Sequence, residues 1–133
     1  METLLTKDCK PNELPPLTLA FVGDGVYDLM VREHLVKAAN RSVGELNKRK
    51  VSLVCCSSQA KFYSEFECIL TEEEVSVYKR GRNAAPNSTP KNASKAEYHI
   101  ATGVEALFGY LYLCGRIDRI RQIFDVIINC NMT

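Results

Sequence analysis

The sequence predicts an all-α fold, and three observations carry that prediction. A hydroxyl three residues ahead of a glutamate recurs at Ser42-Val43-Gly44-Glu45, Thr71-Glu72-Glu73-Glu74 and Ser94-Lys95-Ala96-Glu97. This capping-box pattern opens helices, because hydroxyl and carboxylate each satisfy a backbone N–H left free at the helix start. Near the end of the chain Ile117, Ile120, Ile123, Phe124 and Ile127 recur at helical spacing. No stretch shows a convincing strand alternation or a hairpin turn.

The elements follow in order. Pro15-Pro16 stands where an opening turn tolerates proline, and residues 17–39 are apolar on nearly every side apart from Asp24, Asp28, Arg32, Glu33, His34 and Lys37, which reads as a central, mostly buried helix. Ser42 opens a second helical stretch over 43–69, with a break left open within it. Thr71 opens a helix over 72–82, and Ser94 opens one over 95–114 that Gly115 stops. The isoleucine pattern carries a last helix from 117 to about 129. Between them, Gly81 to Ala93 is irregular and rich in Asn, Pro, Ser and Thr. At 133 residues and 46% hydrophobic content, the chain reads as a single domain spanning 1–133.

Composition excludes some classes. No apolar run approaches the roughly 18 residues of a membrane span, and the polar start Met1-Glu2-Thr3-Leu4-Leu5-Thr6-Lys7-Asp8-Cys9 lacks a signal-peptide core, so no membrane is expected and the location is read as cytoplasmic. The six cysteines, Cys9, Cys55, Cys56, Cys68, Cys114 and Cys130, form no C-x-x-C pair. Reduced thiols within the core are favoured over a zinc site or disulfides. The net charge of +1 argues against a general polyanion binder, yet Lys79, Arg80, Arg82, Lys91 and Lys95 lie in a stretch free of acidic residues. Lys48-Arg49-Lys50 adds a second small cluster. A flexible basic segment suits phosphates, with a merely solvated loop as the alternative.

Two carboxylates point to chemistry. Asp24 sits in Leu19-Ala20-Phe21-Val22-Gly23-Asp24-Gly25-Val26, and Glu105 in Ala101-Thr102-Gly103-Val104-Glu105-Ala106-Leu107-Phe108-Gly109, each in an apolar run bracketed by glycines. A buried carboxylate must neutralise, find a cation or bind a metal, and each mid-helix glycine costs about 1 kcal/mol relative to alanine. The simplest account is that the glycines let two helices approach until Asp24 and Glu105 share a divalent ion in a metal-dependent hydrolase. A Gly-Asp-Gly turn and a structural salt bridge from Glu105 to an arginine are the plainer alternatives. His34 and His99 have no partner spacing that makes them ligands or bases, and the tyrosines read as core or interface.

These residues also carry a family resemblance. Phe21-Val22-Gly23-Asp24 and Glu105-Ala106-Leu107-Phe108-Gly109 resemble the two signature elements of the ribonuclease III catalytic domain. Lys79-Arg80-Gly81-Arg82-Asn83 and Thr89-Pro90-Lys91-Asn92 are similar to the basic loop of its short branch, mini-ribonuclease III, which lacks a separate RNA-binding domain. The resemblance covers about residues 15–128. It implies an all-α, homodimeric endonuclease that cuts double-stranded RNA with Mg²⁺, Mn²⁺ being able to substitute, and leaves 5′-phosphate ends. For the short branch it further implies maturation of large-subunit (23S) ribosomal RNA, with a ribosomal RNA precursor as partner.

Under that resemblance Asp24 and Glu105 are catalytic metal ligands, and Asp28, one turn after Asp24, is a candidate for an extra or water-mediated ligand. Lys79, Arg80, Arg82, Asn83, Lys91, Asn92 and Lys95 would contact RNA phosphates, and Phe21 with neighbouring apolar positions would seal the dimer. The chain departs from the full-length family at three acidic positions, here Leu17, Ala20 and Thr102. The alternatives are a non-catalytic dimeric RNA-binding scaffold on a degenerate ribonuclease III fold and a helical protein–protein adaptor.

Overall fold

The computed structural model describes residues 3–87 and 94–130. Six α-helices follow one another: α1 Pro16–Ala38, α2 Val43–Val54, α3 Cys56–Phe66, α4 Glu72–Ala84, α5 Lys95–Leu113 and α6 Ile117–Ile128, with short 3₁₀ turns at Pro11–Glu13 and Glu67–Ile69. None of the described helices is long and apolar enough to cross a membrane.

The helix starts obey local hydrogen bonding. Ser42, Thr71 and Ser94 each accept from the backbone N–H three residues on, at 3.2, 3.2 and 3.0 Å. The reciprocal bond of a full capping box forms at Thr71, whose N–H donates to Glu74 Oε1 at 2.9 Å, whereas the Glu45 carboxylate accepts from Arg49 Nε at 2.9 Å. At the end of α5, Gly115 takes a φ of 74°. Its N–H donates to Tyr112 O and that of Arg116 to Leu111 O, both at 2.9 Å. This closure needs the left-handed backbone that glycine adopts without strain.

The second predicted stretch divides. Cys55 takes an extended conformation (φ −66°, ψ 159°) and separates α2 from α3. Ser58 Oγ crosses the break to donate to Ser52 O at 2.5 Å, so small polar side chains satisfy backbone groups that a helix end leaves open.

The centre of the fold is α5, where the sequence pointed to the first helix. Every residue from Ala101 to Leu111 except Glu105 is buried, with α1, α3, α4 and α6 packed around it. By contrast α1 buries one stripe, Leu19, Ala20, Gly23, Tyr27, Val31 and Leu35, and leaves Leu17, Phe21, Leu29 and Val36 exposed, Phe21 to 81%. An apolar composition on all sides thus marks a second, uncovered face on α1 and not complete burial. The cysteines also depart from expectation. All six are free, yet none is buried, because they stand at element ends and junctions: Cys9 before the first 3₁₀ turn, Cys55 and Cys56 at the α2–α3 break, Cys68 in the second 3₁₀ turn, Cys114 at the end of α5 and Cys130 after α6.

Glu74 ties α4 to α6. It is 2% exposed and receives Arg119 Nε at 2.7 Å and an Arg119 terminal nitrogen at 2.8 Å, a two-pronged pair that compensates the buried charge.

Candidate active site

The site begins with two glycines. A Cβ on Gly23 would overlap the backbone carbonyl of Glu105 and stand 2.8 Å from Gly109 N; a Cβ on Gly109 would overlap the carbonyl of Leu19. Backbone therefore meets backbone where α1 crosses α5, and this crossing sets Asp24, the next residue on α1, beside Glu105 on α5. Gly25 has no such task, since a Cβ there would meet nothing within 4 Å. Gly81 and Gly103 serve a second crossing, α4 on α5: a Cβ on Gly81 would stand 2.5 Å from the Ala106 Cβ, and one on Gly103 would press on the Tyr78 ring.

The two carboxylates differ in environment. Asp24 is exposed, contrary to the expectation of two buried charges, while Glu105 is half-buried. Burial, and then the adjacent Asp24 charge, push the Glu105 carboxyl from 4.5 up to about 8, against the pull of a hydrogen bond from Gln59. Buried Tyr27 stands nearby, its hydroxyl donating to Leu53 O at 3.3 Å; burial, with the charges of Cys55 and Glu105, raises its phenol.

A divalent cation fits this donor set. Two neighbouring hard oxygen donors, one of them unwilling to ionise beside the other, are stabilised by a cation between them, and Mg²⁺ commonly takes one or two carboxylates with water and phosphate oxygens completing its shell. Among the described residues no cluster of three or more His, Cys, Asp or Glu side chains converges. Asp28 is engaged in ion pairs, accepting from Arg32 Nε at 2.5 Å and standing 3.6 Å from Lys50 Nζ. Thr102, at a position where the full-length family is acidic, is buried and turns its hydroxyl back to Tyr98 O at 3.0 Å.

The basic residues lie on ordered structure more than on a loop, because α4 runs on to Ala84 and takes Lys79, Arg80, Arg82 and Asn83 into its last turns. Lys79, Arg80 and Asn83 are exposed, as is Lys95, the first residue of α5. The Arg82 guanidinium lies 5.6 Å from the Tyr78 ring centre, and its Nε donates to Asn83 Oδ1 at 3.3 Å. Gly81, in the middle of this run, packs against Ala106, so these cations are carried by the turn of α4 that touches α5 beside Glu105. Lys91 and Asn92 lie outside the described residues. In the second cluster Arg49 and Lys50 pair with Glu45 and Asp28.

One residue of the site escaped the sequence reading. Gln59 on α3 is 2% exposed, and its Nε2 lies 3.4 Å from Glu105 Oε2. The signal was present as a pattern: Gln59, Phe62, Tyr63 and Phe66 follow the i, i+3, i+4, i+7 spacing of a buried stripe, with an amide in an apolar place.

Residues 17–116 match the family model described as the Ribonuclease III domain. This chain belongs to the ribonuclease III family. It is accordingly an endoribonuclease. Among its relatives, the Mini-ribonuclease 3 of Clostridium tetani is 39% identical over 118 residues, covering 88% of this chain and 78% of the relative. That of Brevibacillus brevis is 44% identical over 119 residues, covering 90% of this chain and 87% of the relative. A crystal structure of a Fusobacterium nucleatum protein superposes with a TM-score of 0.80 at 28% identity, covering 88% of this chain and 93% of the other. The ribonuclease III fold expected from the two signature elements is therefore the fold of this chain.

Proposed function

We propose that this chain cleaves double-stranded RNA in a Mg²⁺-dependent reaction, as a homodimer acting on a ribosomal RNA precursor in the cytoplasm, with residues 1–133 forming one catalytic domain. The observation that carries the reading is the Gly23–Gly109 crossing, which sets the carboxylates of Asp24 and Glu105 side by side. Both side chains would hold the divalent cation, and Asp28 remains the nearest further carboxylate on α1. When bound, the cation would ease deprotonation of the water that attacks phosphorus and would neutralise charge on the scissile phosphate. Asp24 and Glu105 would hold that cation, and breakage of the bond between phosphorus and the 3′ oxygen leaves a 5′-phosphate on one strand end and a 3′-hydroxyl on the other.

The substrate class follows from charge and shape. Lys79, Arg80, Arg82, Asn83 and Lys95, together with Lys91 and Asn92, would contact phosphates across the minor groove of an A-form duplex, reading shape more than sequence. Maturation of 23S ribosomal RNA is proposed from the resemblance to the short branch of the family, to which the relatives named Mini-ribonuclease 3 belong by name. The dimer surface would be the uncovered face of α1, where Phe21, Leu29 and Val36 are exposed beside an apolar groove of about 620 Å³ that includes Val22, Met30 and Phe124. Exposed apolar side chains of this kind are what a partner surface would cover, and a two-fold dimer matches the two strands of a duplex.

A scaffold reading draws on a specific observation: Leu17, Ala20 and Thr102 replace family carboxylates. The test separates the two. The purified chain and its Asp24→Asn variant are incubated with duplex RNA and with single strands, in Mg²⁺ or in chelator. Cutting of the duplex in Mg²⁺ alone, lost in Asp24→Asn with RNA binding retained, is the expected result. Duplex binding without cleavage would establish the scaffold instead.

A further inference from the structure

The side chain of Gln59 presents a contradiction within the core. Its Oε1 is buried with no hydrogen-bond partner among the described residues, although a hydrocarbon of similar size would suit a stripe shared with Phe62, Tyr63 and Phe66. An unpartnered buried carbonyl opposes folding, so the amide at this position has to be explained by what its N–H end does. Two acceptors face that end: Val54 O at 2.9 Å and Glu105 Oε2 at 3.4 Å.

The break between the two helices explains the orientation. Because α2 stops at Val54 and Cys55 turns extended, the Val54 carbonyl has no helical N–H to accept from and requires a donor. It takes one hydrogen of Nε2, which settles which end of the amide is nitrogen and leaves the second hydrogen for Glu105. The break between α2 and α3 thereby has a use at the site, through Gln59, which stands 46 residues before Glu105 in the chain.

We propose that Gln59 is a positioning residue for the carboxylate pair: braced on Val54 O, it holds Oε2 of Glu105 and leaves the other carboxylate oxygen, with Asp24, to face a bound divalent cation. This rests on the reading of Asp24 and Glu105 as cation ligands. Outer hydrogen bonds of this kind change metal affinity by about 10- to 100-fold. They do so without themselves touching the ion.

The experiment measures Mn²⁺ binding to the whole chain by calorimetry, for the natural sequence, Gln59→Met and Asp24→Asn, beside metal-free thermal unfolding. Gln59→Met is expected to bind Mn²⁺ about 10-fold more weakly or worse, while its unfolding midpoint reflects two opposed changes, removal of the orphaned Oε1 and loss of the donor to Val54 O, and decides nothing by itself. Cleavage by this variant should fall at limiting Mn²⁺ and recover as Mn²⁺ is raised. Unchanged affinity, with or without a lowered midpoint, overturns the proposal and leaves Gln59 a packing residue. If Asp24→Asn binds Mn²⁺ as tightly as the natural sequence, the carboxylate-pair reading itself fails and takes this inference with it; if Asp24→Asn loses Mn²⁺ while Gln59→Met keeps it, this inference alone fails. Should Gln59→Met not fold, the side-chain amide resonances of Gln59 in the natural chain decide: movement with Mg²⁺ at the midpoint of binding supports the proposal, and their indifference to Mg²⁺ overturns it.

Discussion

Replacing Gly23 by alanine separates two effects of opposite sign. In a free helix the change stabilises by about 1 kcal/mol, since alanine loses less backbone entropy. Here the added Cβ would overlap the Glu105 carbonyl and stand 2.8 Å from Gly109 N, and neither obstacle is a side chain that can rotate away. Nor can α5 recede, being enclosed by α3, α4 and α6. So α1 must move outward by on the order of 1–2 Å to restore ordinary contact distances, loosening the stripe from Leu19 to Leu35. Overpacking of this kind costs about 1–3 kcal/mol and sometimes more, so a net destabilisation of about 2 kcal/mol is expected in urea unfolding. The same shift draws Asp24 away from Glu105, and a misplacement of about 1 Å can lower turnover about 100-fold. Gly44→Ala is the control: a Cβ there meets nothing within 4 Å, so stability should hold or rise slightly and cleavage stay unchanged. A Gly23→Ala chain as stable and as active as the natural one would refute the close crossing.

Other perturbations reach different parts of the molecule. Arg80→Gln with Arg82→Gln should weaken duplex RNA binding and reduce the slope of log affinity against log salt by about 1 for each phosphate that is no longer neutralised; an unchanged slope would remove α4 from the RNA surface. Stability without metal should depend on pH through Glu105. Its folded carboxyl is raised to about 8 chiefly by burial and then by Asp24. The stabilisation is therefore complete below about pH 4.5 and lost as pH rises through 8, an effect on the order of 2–4 kcal/mol that Glu105→Gln should flatten in urea titrations. Phe21→Glu should convert the proposed dimer to monomers in sedimentation with the far-ultraviolet dichroism kept, because this side chain is 81% exposed and holds up none of the core; a dimer that survives it uses another surface.

What could be read in the chain was what neighbouring residues decide among themselves. The hydroxyls of Ser42, Thr71 and Ser94 find their own N–H groups three residues on, and Gly115 ends α5 by a bond pattern confined to one turn, so these boundaries were legible before any packing was known. The carboxylate pair was legible for a similar reason: mid-helix glycines next to Asp24 and Glu105 are locally unfavourable and call for a distant compensation. Which glycines supply it was not legible. Gly23 and Gly109 meet across the crossing and Gly25 does not, a difference that exists only once α1 and α5 are placed.

Everything that depended on a second element was decided by the tertiary structure. Burial of α5 in place of α1 follows from how many helices surround each, and apolar composition alone cannot count neighbours. The exposure of Asp24 is known only once the helices are placed, and Gln59 comes beside Glu105 by a contact between residues far apart in the chain. Hydrogen bonds within a turn are encoded where they form; the energy of burying a side chain belongs to the whole arrangement, and only the folded chain reveals which side chains share it.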